Sequence, residues 1–151
     1  MSVSAFDLDA SLEFYRDLFG MQSVPSPNFG FRVEWLRCGD LQLHLFSRGD
    51  DSPAFHHFGV TVDDFLGFYK RAKQLSVLDD GFFFEALYEL PDGTLQMYIR
   101  DPSGNLVEID QPGATIADIE AIRVAIPELK ALADVHPQLG EHAQAQLFLT
   151  T

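Results

Sequence analysis

Two histidines and one glutamate are the residues of this sequence whose types suit a metal centre. His44 and Glu108 each lie within an apolar, strand-like run, and His57 begins another such run. Neutral imidazole and carboxylate together favour Fe(II), Mn, Ni, Co or Zn over Ca or Mg. Three protein ligands would leave coordination positions open, as a catalytic metal requires. The spacing alone is a weak signal, because any chain of this size contains some His and Glu.

Each of these residues also has a purely structural interpretation. His56 adjoins His57, and we expect one of the two to serve packing or face solvent; His57 has the better register for a ligand. In the structural interpretation, His44 is a solvent-facing residue of an edge strand. Glu108 is a charged residue on the exposed face of a strand. Tyr98 is a candidate to donate a proton or hydrogen bond to a bound oxyanion, with a packed ring and a hydroxyl at the rim as its alternative.

Composition limits the classes of partner. The 151 residues fit one domain or two small half-domains with a shared core, and 46% of them are hydrophobic. A net charge of −13 repels the phosphate backbone, so we expect no nucleic-acid partner. The single cysteine, Cys38, allows no intrachain disulfide. No run approaches the roughly 20 apolar residues of a membrane span. No secretory signal is apparent. We therefore expect a cytoplasmic protein without a membrane partner.

The pattern of helices and strands indicates an internal repeat. Asp7 or Asp9 can cap the helical segment LDASLEFYRDLFG, and Asp63-Asp64 can cap the segment DFLGFYKRAKQL. Strand-like segments surround these helices, among them FGFRVEWLR and GFFFEALYEL. Aligning LDASLEFYR with VDDFLGFYK places Leu12 beside Leu66. Aligning LQLHLF with NLVEID places His44 opposite Glu108. Each half reads β-α-β-β-β, and pairing two halves would bury the sheet face that one half leaves bare.

The C-terminal region is predicted to be helical. Its isoleucines form a stripe that we expect to dock onto the sheet or onto a partner subunit: Ile116, Ile119, Ile122 and Ile126. Pro127 is predicted to start a second short helix, because proline is favoured in the first turn.

Four segments together resemble the serial signatures of the vicinal oxygen chelate superfamily, which contains glyoxalases, bleomycin-resistance proteins and extradiol dioxygenases. They are LDASLEFYRDLFGM, GDLQLHLF, HHFGVTVDD and RDPSGNLVEID, and DP-x-GN-x-x-E is the most specific pattern among them. The resemblance covers roughly residues 7 to 110. It implies an α+β fold in which two tandem βαβββ modules form a half-open β-barrel, the glyoxalase-like fold.

The resemblance also implies a division of the chain. We predict a single domain over residues 1–111, made of modules 1–50 and 54–111, followed by a helical C-terminal tail over residues 112–151.

The same resemblance implies where metal ligands lie. The family uses the first and last strands of each module, which here selects His57 and Glu108 in the second module and His44 in the first. The remaining position should fall at or before Met1, or near Val3, and no His is present there. The resemblance therefore implies either a divalent-metal site with three protein ligands or a cleft without metal.

Two classes of function stay open. One is a divalent-metal enzyme that chelates neighbouring oxygens of a small substrate, as a lyase, isomerase or ring-cleaving dioxygenase, with Glu108 and Tyr98 as catalytic residues. The missing first-strand His lowers the expectation of ring cleavage. The alternative is a metal-free protein that binds an antibiotic or another small molecule. For this alternative, an acidic cavity rich in Phe and containing Trp35 would suit a cationic aromatic ligand. In either case we predict a homodimer.

Overall fold

The computed structural model describes residues 1–47, 56–79 and 87–147 of the chain. In the first half it contains β1 (Ser2–Ser4), α1 (Leu8–Phe19), β2 (Gln22–Val24), β3 (Val33–Cys38) and β4 (Leu41–Phe46). The second half contains β5 (His57–Thr61), α2 (Phe65–Gln74), β6 (Leu87–Glu89), β7 (Leu95–Arg100) and β8 (Leu106–Gln111). The tail contains α3 (Ile116–Ala125), β9 (Lys130–Ala131), α4 (Leu132–Val135) and a short 3-10 helix, Gly140–Gln144. The predicted order β-α-β-β-β is thus present twice, and the α+β class is confirmed.

The chain forms two compact units that do not follow the order of the sequence. The first unit is Met1–His57 with Arg100–Leu106, and the second is Phe58–Ile99 with Val107–Thr151. The turn between β7 and β8 therefore belongs to the first unit, whereas most of both strands belongs to the second.

In the first unit, α1 packs against β3 and β4 of a four-stranded sheet with the order β1-β4-β3-β2. Asp7 caps the helix by accepting a hydrogen bond from the Ala10 backbone N–H, and Gly20 ends it in a left-handed conformation with φ 63°. Leu43 and Leu45 of β4 are fully buried, so the alternation of the strand places His44 on the opposite face.

The second unit has a five-stranded sheet with the order β5-β8-β7-β6-β9. Asp64 caps α2 through the Gly67 backbone N–H. The helix buries Phe65, Tyr69 and Ala72, which lie at the predicted helical spacing. No helix in the described part of the chain has the length and apolar character of a membrane span.

The tail differs from its prediction at two residues. Ile119, Ile122 and Ile126 are buried as expected, but Ile116 is 77% exposed, because it opens α3 and lies off the buried face. Pro127 starts no helix: it lies in a turn that follows α3. After that turn, β9 adds to the sheet beside β6 in parallel.

The predicted strand FGFRVEWLR begins later than its alternating pattern indicated. Gly30 has φ 79°, and its backbone N–H donates to the side chain of Asn28, which forms a local turn. The strand starts at Val33, and Phe29 and Phe31 lie before it. Most of the predicted strand GFFFEALYEL lies outside the described residues, apart from its end in β6.

The internal repeat is present, but its helices align three residues away from the predicted register. The capping residues Asp7 and Asp64 are equivalent, so Leu12 corresponds to Tyr69 and not to Leu66. The buried faces agree with this register, because Leu8, Leu12 and Tyr15 match Phe65, Tyr69 and Ala72.

The last strands of the two repeats align as predicted. The Ala5 backbone N–H donates to the Phe46 carbonyl oxygen, and the Val62 N–H donates in the same way to the Asp110 carbonyl oxygen. Phe46 and Asp110 are therefore equivalent, and two residues earlier so are His44 and Glu108.

Candidate functional site

One face of the β7–β8 pair carries polar side chains, in contrast to the apolar core on its other face. Leu95, Met97 and Ile99 are fully buried on the core side of β7. The residues between them point the other way, so Tyr98 meets β8 on the polar face. There its hydroxyl donates a hydrogen bond to Oε2 of Glu108. The two residues that the sequence selected as catalytic are thus in direct contact.

A second polar pair lies beside the first and was not foreseen. Gln96 Nε2 donates to Asp110 Oδ1 at 3.2 Å. Both side chains are buried, at 8% exposure for Gln96 and 2% for Asp110. The sequence contains a signal for this pair, because LQMYIR and LVEID both carry polar residues at alternate positions of an otherwise apolar strand. Without the strand pairing, however, nothing indicated that they would meet.

The carboxyl groups of Glu108 and Asp110 lie close to each other. Burial, followed by the nearby charge and hydrogen bond of Glu108, raises the pKa of Asp110 to about 7. A hydrogen bond between two carboxyl groups requires a proton on one of them, and the raised pKa of Asp110 allows Asp110 to carry it. A buried carboxyl group with a raised pKa is typical of functional sites.

Gly59 of β5 leaves space above this pair. A Cβ at Gly59 would lie 3.4 Å from Asp110 Oδ2 and 3.5 Å from Glu108 Oε1. The two oxygens therefore face the same space, next to a strand position that has no side chain.

Tyr98 acts as a hydrogen-bond donor at this site. Burial raises the pKa of its hydroxyl well above the usual range, and the carboxylates of Glu108 and Asp110 add to the shift. The hydroxyl consequently keeps its proton at neutral pH, and only 6% of Tyr98 is exposed.

His44 lies in the first unit, stacked on Trp35. The ring centroids are 4.2 Å apart and the planes differ by 11°. Its Nδ1 is 3.5 Å from the hydroxyl of Ser2, whereas its buried Nε2 has no hydrogen-bond partner among the described residues. Burial lowers the pKa of His44, and the N-terminal ammonium group lowers it further. The imidazole is therefore neutral at physiological pH, which is the form that binds metals.

The pairing of β1 identifies the strand position opposite His44. Ser2 is the partner of His44 in the parallel β1–β4 pair. In the register of the two repeats, Ser2 is equivalent to Gly59, and the counterpart of His57 would precede Met1. Of the two places expected for the fourth ligand position, at or before Met1 or near Val3, this register corresponds to the first.

His56 and His57 are both exposed. His57 is the first residue of β5, and alternation along the strand places it on the same strand face as Gly59. His56 lies before the strand, which favours His57 as the ligand candidate.

The DPSGN turn serves structure in the first unit. The buried carboxylate of Asp101 accepts hydrogen bonds from the Tyr15 hydroxyl at 2.9 Å and from two groups of Asn105, its backbone N–H at 2.8 Å and its Nδ2 at 2.7 Å. Asn105 Nδ2 also donates to the Ser4 carbonyl oxygen, and Ser103 Oγ accepts from the Phe6 backbone N–H. These contacts explain why the most specific motif of the sequence requires these residue types.

An aromatic cluster adjoins His44 in the first unit. Phe29, Phe31 and Phe46 have ring centroids 6.2 to 6.4 Å apart, and the His44 ring lies 6.5 Å from that of Phe46. Phe29 is 50% exposed and Phe31 42%.

Within the described ranges, no three His, Cys, Asp or Glu side chains cluster as a complete metal centre. The ligand set His44, His57 and Glu108 remains a prediction.

Comparison with known proteins identifies relatives. A family model for the Glyoxalase/Bleomycin resistance protein/Dioxygenase superfamily matches residues 1–109. Lactoylglutathione lyase from Agrobacterium tumefaciens is similar in structure, with 30% identity, a TM-score of 0.55, and coverage of 74% of this chain and 90% of that chain. The protein YwbC of Bacillus subtilis (strain 168) is 26% identical over 115 residues, which are 70% of this chain and 89% of YwbC.

A bleomycin-binding protein solved with bleomycin supports the fold alone. It is 22% identical, with a TM-score of 0.55, and the match covers 73% of this chain and 93% of that chain. The two solved structures support the glyoxalase-like fold that the motifs predicted. The chain belongs to the Glyoxalase/Bleomycin resistance protein/Dioxygenase superfamily.

Proposed function

We propose that this protein is a divalent-metal enzyme that chelates two neighbouring oxygens of a small substrate, of the lyase/isomerase or ring-cleaving type. The observation that carries the proposal is the polar face of β7–β8, where Glu108 lies within a strand and is hydrogen-bonded by Tyr98. An apolar pair would serve a strand interior better, because buried carboxyl groups are costly. The similarity to a lactoylglutathione lyase supports the lyase/isomerase type over ring cleavage.

The donor set fits a borderline metal. Glu108 supplies a carboxylate, and His44 supplies a neutral imidazole whose Nε2 has no hydrogen-bond partner in the described part of the chain. His57 is the third predicted ligand. Carboxylate and imidazole suit Fe(II), Mn, Ni, Co or Zn. When bound, such a metal supplies Lewis acidity to the substrate oxygens.

The roles of the protein groups follow from their protonation. Tyr98 keeps its proton and donates a hydrogen bond to Glu108, so it orients that carboxylate. If the hydroxyl turned to a bound substrate instead, the same proton would stabilise negative charge on a substrate oxygen. The pKa of Asp110, raised to about 7, suits its carboxyl group to accept or release one proton near neutral pH.

Metal content tests the ligand set directly. Protein purified without a His tag is expected to contain a stoichiometric first-row metal, and the variants His44→Ala, His57→Ala and Glu108→Gln are each expected to lose most of it. His136 is exposed and its contacts are through the backbone, so His136→Ala is the matched control. Elemental analysis measures the outcome. Metal content that is unchanged in His57→Ala and Glu108→Gln would show that the assignment is wrong.

The aromatic cluster favours a second function, a metal-free binder of small molecules. Exposed rings of Phe29 and Phe31 beside Phe46 are suited to hold a planar ligand, and the acidic chain favours a cationic one. Trp35 is the single tryptophan, so its fluorescence reports on the stack with His44.

A cationic planar dye is the probe for this alternative. If the protein is a binder, we expect the dye to quench the Trp35 fluorescence of the metal-free protein. The double variant Phe29→Ser/Phe31→Ser should then bind the dye at least tenfold more weakly. Equal binding by the double variant would exclude the cluster as the ligand site.

We further propose a homodimer located in the cytoplasm, with a small molecule as its partner and neither nucleic acid nor membrane. The acidic composition supports the absence of a nucleic-acid partner.

A further inference from the structure

We propose that Asp110 is a positioning residue for Glu108, which it holds by a hydrogen bond in the orientation that binds the metal. This inference rests on the proposed metal-binding function. Sequence reasoning did not select Asp110, and the family motif, which ends at Glu108, does not include it.

Glu108 is held from two sides. Its Oε2 accepts the hydrogen bond of Tyr98, and its carboxyl group is also hydrogen-bonded to that of Asp110. Oε1 of Glu108 and Oδ2 of Asp110 both face the space beside Gly59, at 3.5 and 3.4 Å from the point where a Cβ would stand. The Tyr98 and Asp110 contacts together fix the plane of the Glu108 carboxylate, which a single contact would not do.

Asp110 is itself fixed. Its Oδ1 accepts from Gln96 Nε2 at 3.2 Å, and only 2% of Asp110 is exposed. It therefore cannot turn to solvent, and Oδ2 remains directed towards Glu108. A buried carboxyl group beside another carboxyl group stabilises the fold less than an apolar residue of the same shape. The pair is therefore better explained by a role at the site than by stability.

Partners of metal-binding carboxylates have a known effect. They orient the ligand, and their loss commonly weakens metal binding by about 10- to 100-fold. If Asp110 acts through its hydrogen bond to Glu108, its effect on the metal is indirect. If Asp110 is a metal ligand itself, its carboxylate binds the metal directly.

Two substitutions separate these roles. In Asp110→Asn, the amide oxygen can still accept from Gln96 while the amide nitrogen donates to Glu108, but an amide is a poor metal ligand. Asp110→Leu keeps the branched shape and makes no hydrogen bond. A positioning role predicts that Asn retains binding and that Leu loses it.

The test is a titration of the metal-free full chain with Co²⁺, followed by the visible absorption of the bound ion and by competition with a chelator. We expect Asp110→Asn to bind within about threefold of the wild type with a similar spectrum. Asp110→Leu should bind about 10- to 100-fold more weakly, with an altered spectrum. Asp134 is exposed, so Asp134→Asn controls for the loss of one charge. If Asp110→Leu does not fold, as judged by thermal unfolding without metal, Asp110→Ala replaces it.

Three outcomes would overturn the inference. Equal losses in Asp110→Asn and Asp110→Leu would make Asp110 a ligand, and equal binding in both would remove any role. In either of these cases the proposed function still stands if Glu108→Gln abolishes binding. If the wild type takes up no Co²⁺, or Glu108→Gln binds it normally, the proposed function fails and the inference fails with it.

Discussion

At the scale of single residues, Asp101 shows how a short motif can serve stability rather than chemistry. Its carboxylate is 4% exposed and accepts from Tyr15, from Asn105 and, at 2.9 Å, from the Ser103 backbone N–H. A buried carboxylate is tolerated when its oxygens are hydrogen-bonded in this way. Asp101 is thus a structural centre of the first unit.

Replacing Asp101 by Asn should destabilise the protein. The amide nitrogen would face two donors, the Tyr15 hydroxyl and Asn105 Nδ2, and we expect a loss of about 3 kcal/mol in the free energy of unfolding. Tyr15→Phe removes one donor only and should cost about 1 kcal/mol. Chemical denaturation measures both values. A loss in Asp101→Asn no larger than that in Asp134→Asn would contradict this account.

His44, Tyr98 and Glu108 could be selected from the sequence because each is polar within a strand, and their roles stay predictions. The hydrogen bond from Tyr98 to Glu108 is visible only in the structure. Asp110 and Gln96 were missed because their meaning depends on the pairing of β7 with β8. A single sequence does not provide that register.

At the scale of elements, capping residues determined where the helices begin. Asp7 and Asp64 hold the first turns of α1 and α2, and both were predicted as candidates. Equivalent caps also corrected the register of the repeat, because a cap marks the start of a helix more reliably than matched aromatic residues do. Pro127 was misleading, since proline favours a turn as readily as a first helical turn.

Thr115 is the corresponding cap of α3. Its side chain accepts from the Asp118 backbone N–H at 3.2 Å, while Asp118 accepts from the Thr115 N–H at 3.1 Å. Thr115→Ala should therefore lower the free energy of unfolding by about 1 kcal/mol.

The loss should also depend on pH. Hydrogen bonds from Thr115 lower the pKa of Asp118, so its contribution is present above the unfolded-state pKa and lost as pH falls through the lower folded-state value. Denaturation of both proteins at pH 7 and at acidic pH measures this difference. A difference between wild type and variant that grows at acidic pH would contradict the capping box. Ala133→Ser is a suitable control because Ala133 is exposed. Thr94→Ala is unsuitable because Thr94 is buried.

At the scale of the whole molecule, charge is the dominant feature. Like copies with a net charge of −13 repel one another, so self-association must overcome this repulsion. The exposed apolar residues Ile116, Val124 and Leu139 offer material for an interface, with 77%, 85% and 74% exposure.

The proposed homodimer should therefore depend on salt. Screening shortens the range of repulsion to about 8 Å at physiological ionic strength, so the dimer should tighten as salt rises from low to physiological concentration. Sedimentation at several micromolar concentrations, at two ionic strengths, measures the mass. A monomer under all conditions, or a dimer that weakens with added salt, would contradict the proposal.

The assignment of Arg100–Leu106 to the first unit also bears on biosynthesis. A ribosome delivers α1 and β4 long before this segment, so Tyr15 and Ser11 emerge before the groups that they later meet. The first unit, although most of it is made first, is therefore complete only when Arg100–Leu106 has been translated. A nascent chain must keep these polar groups hydrated until Asp101 and Ser103 have been translated.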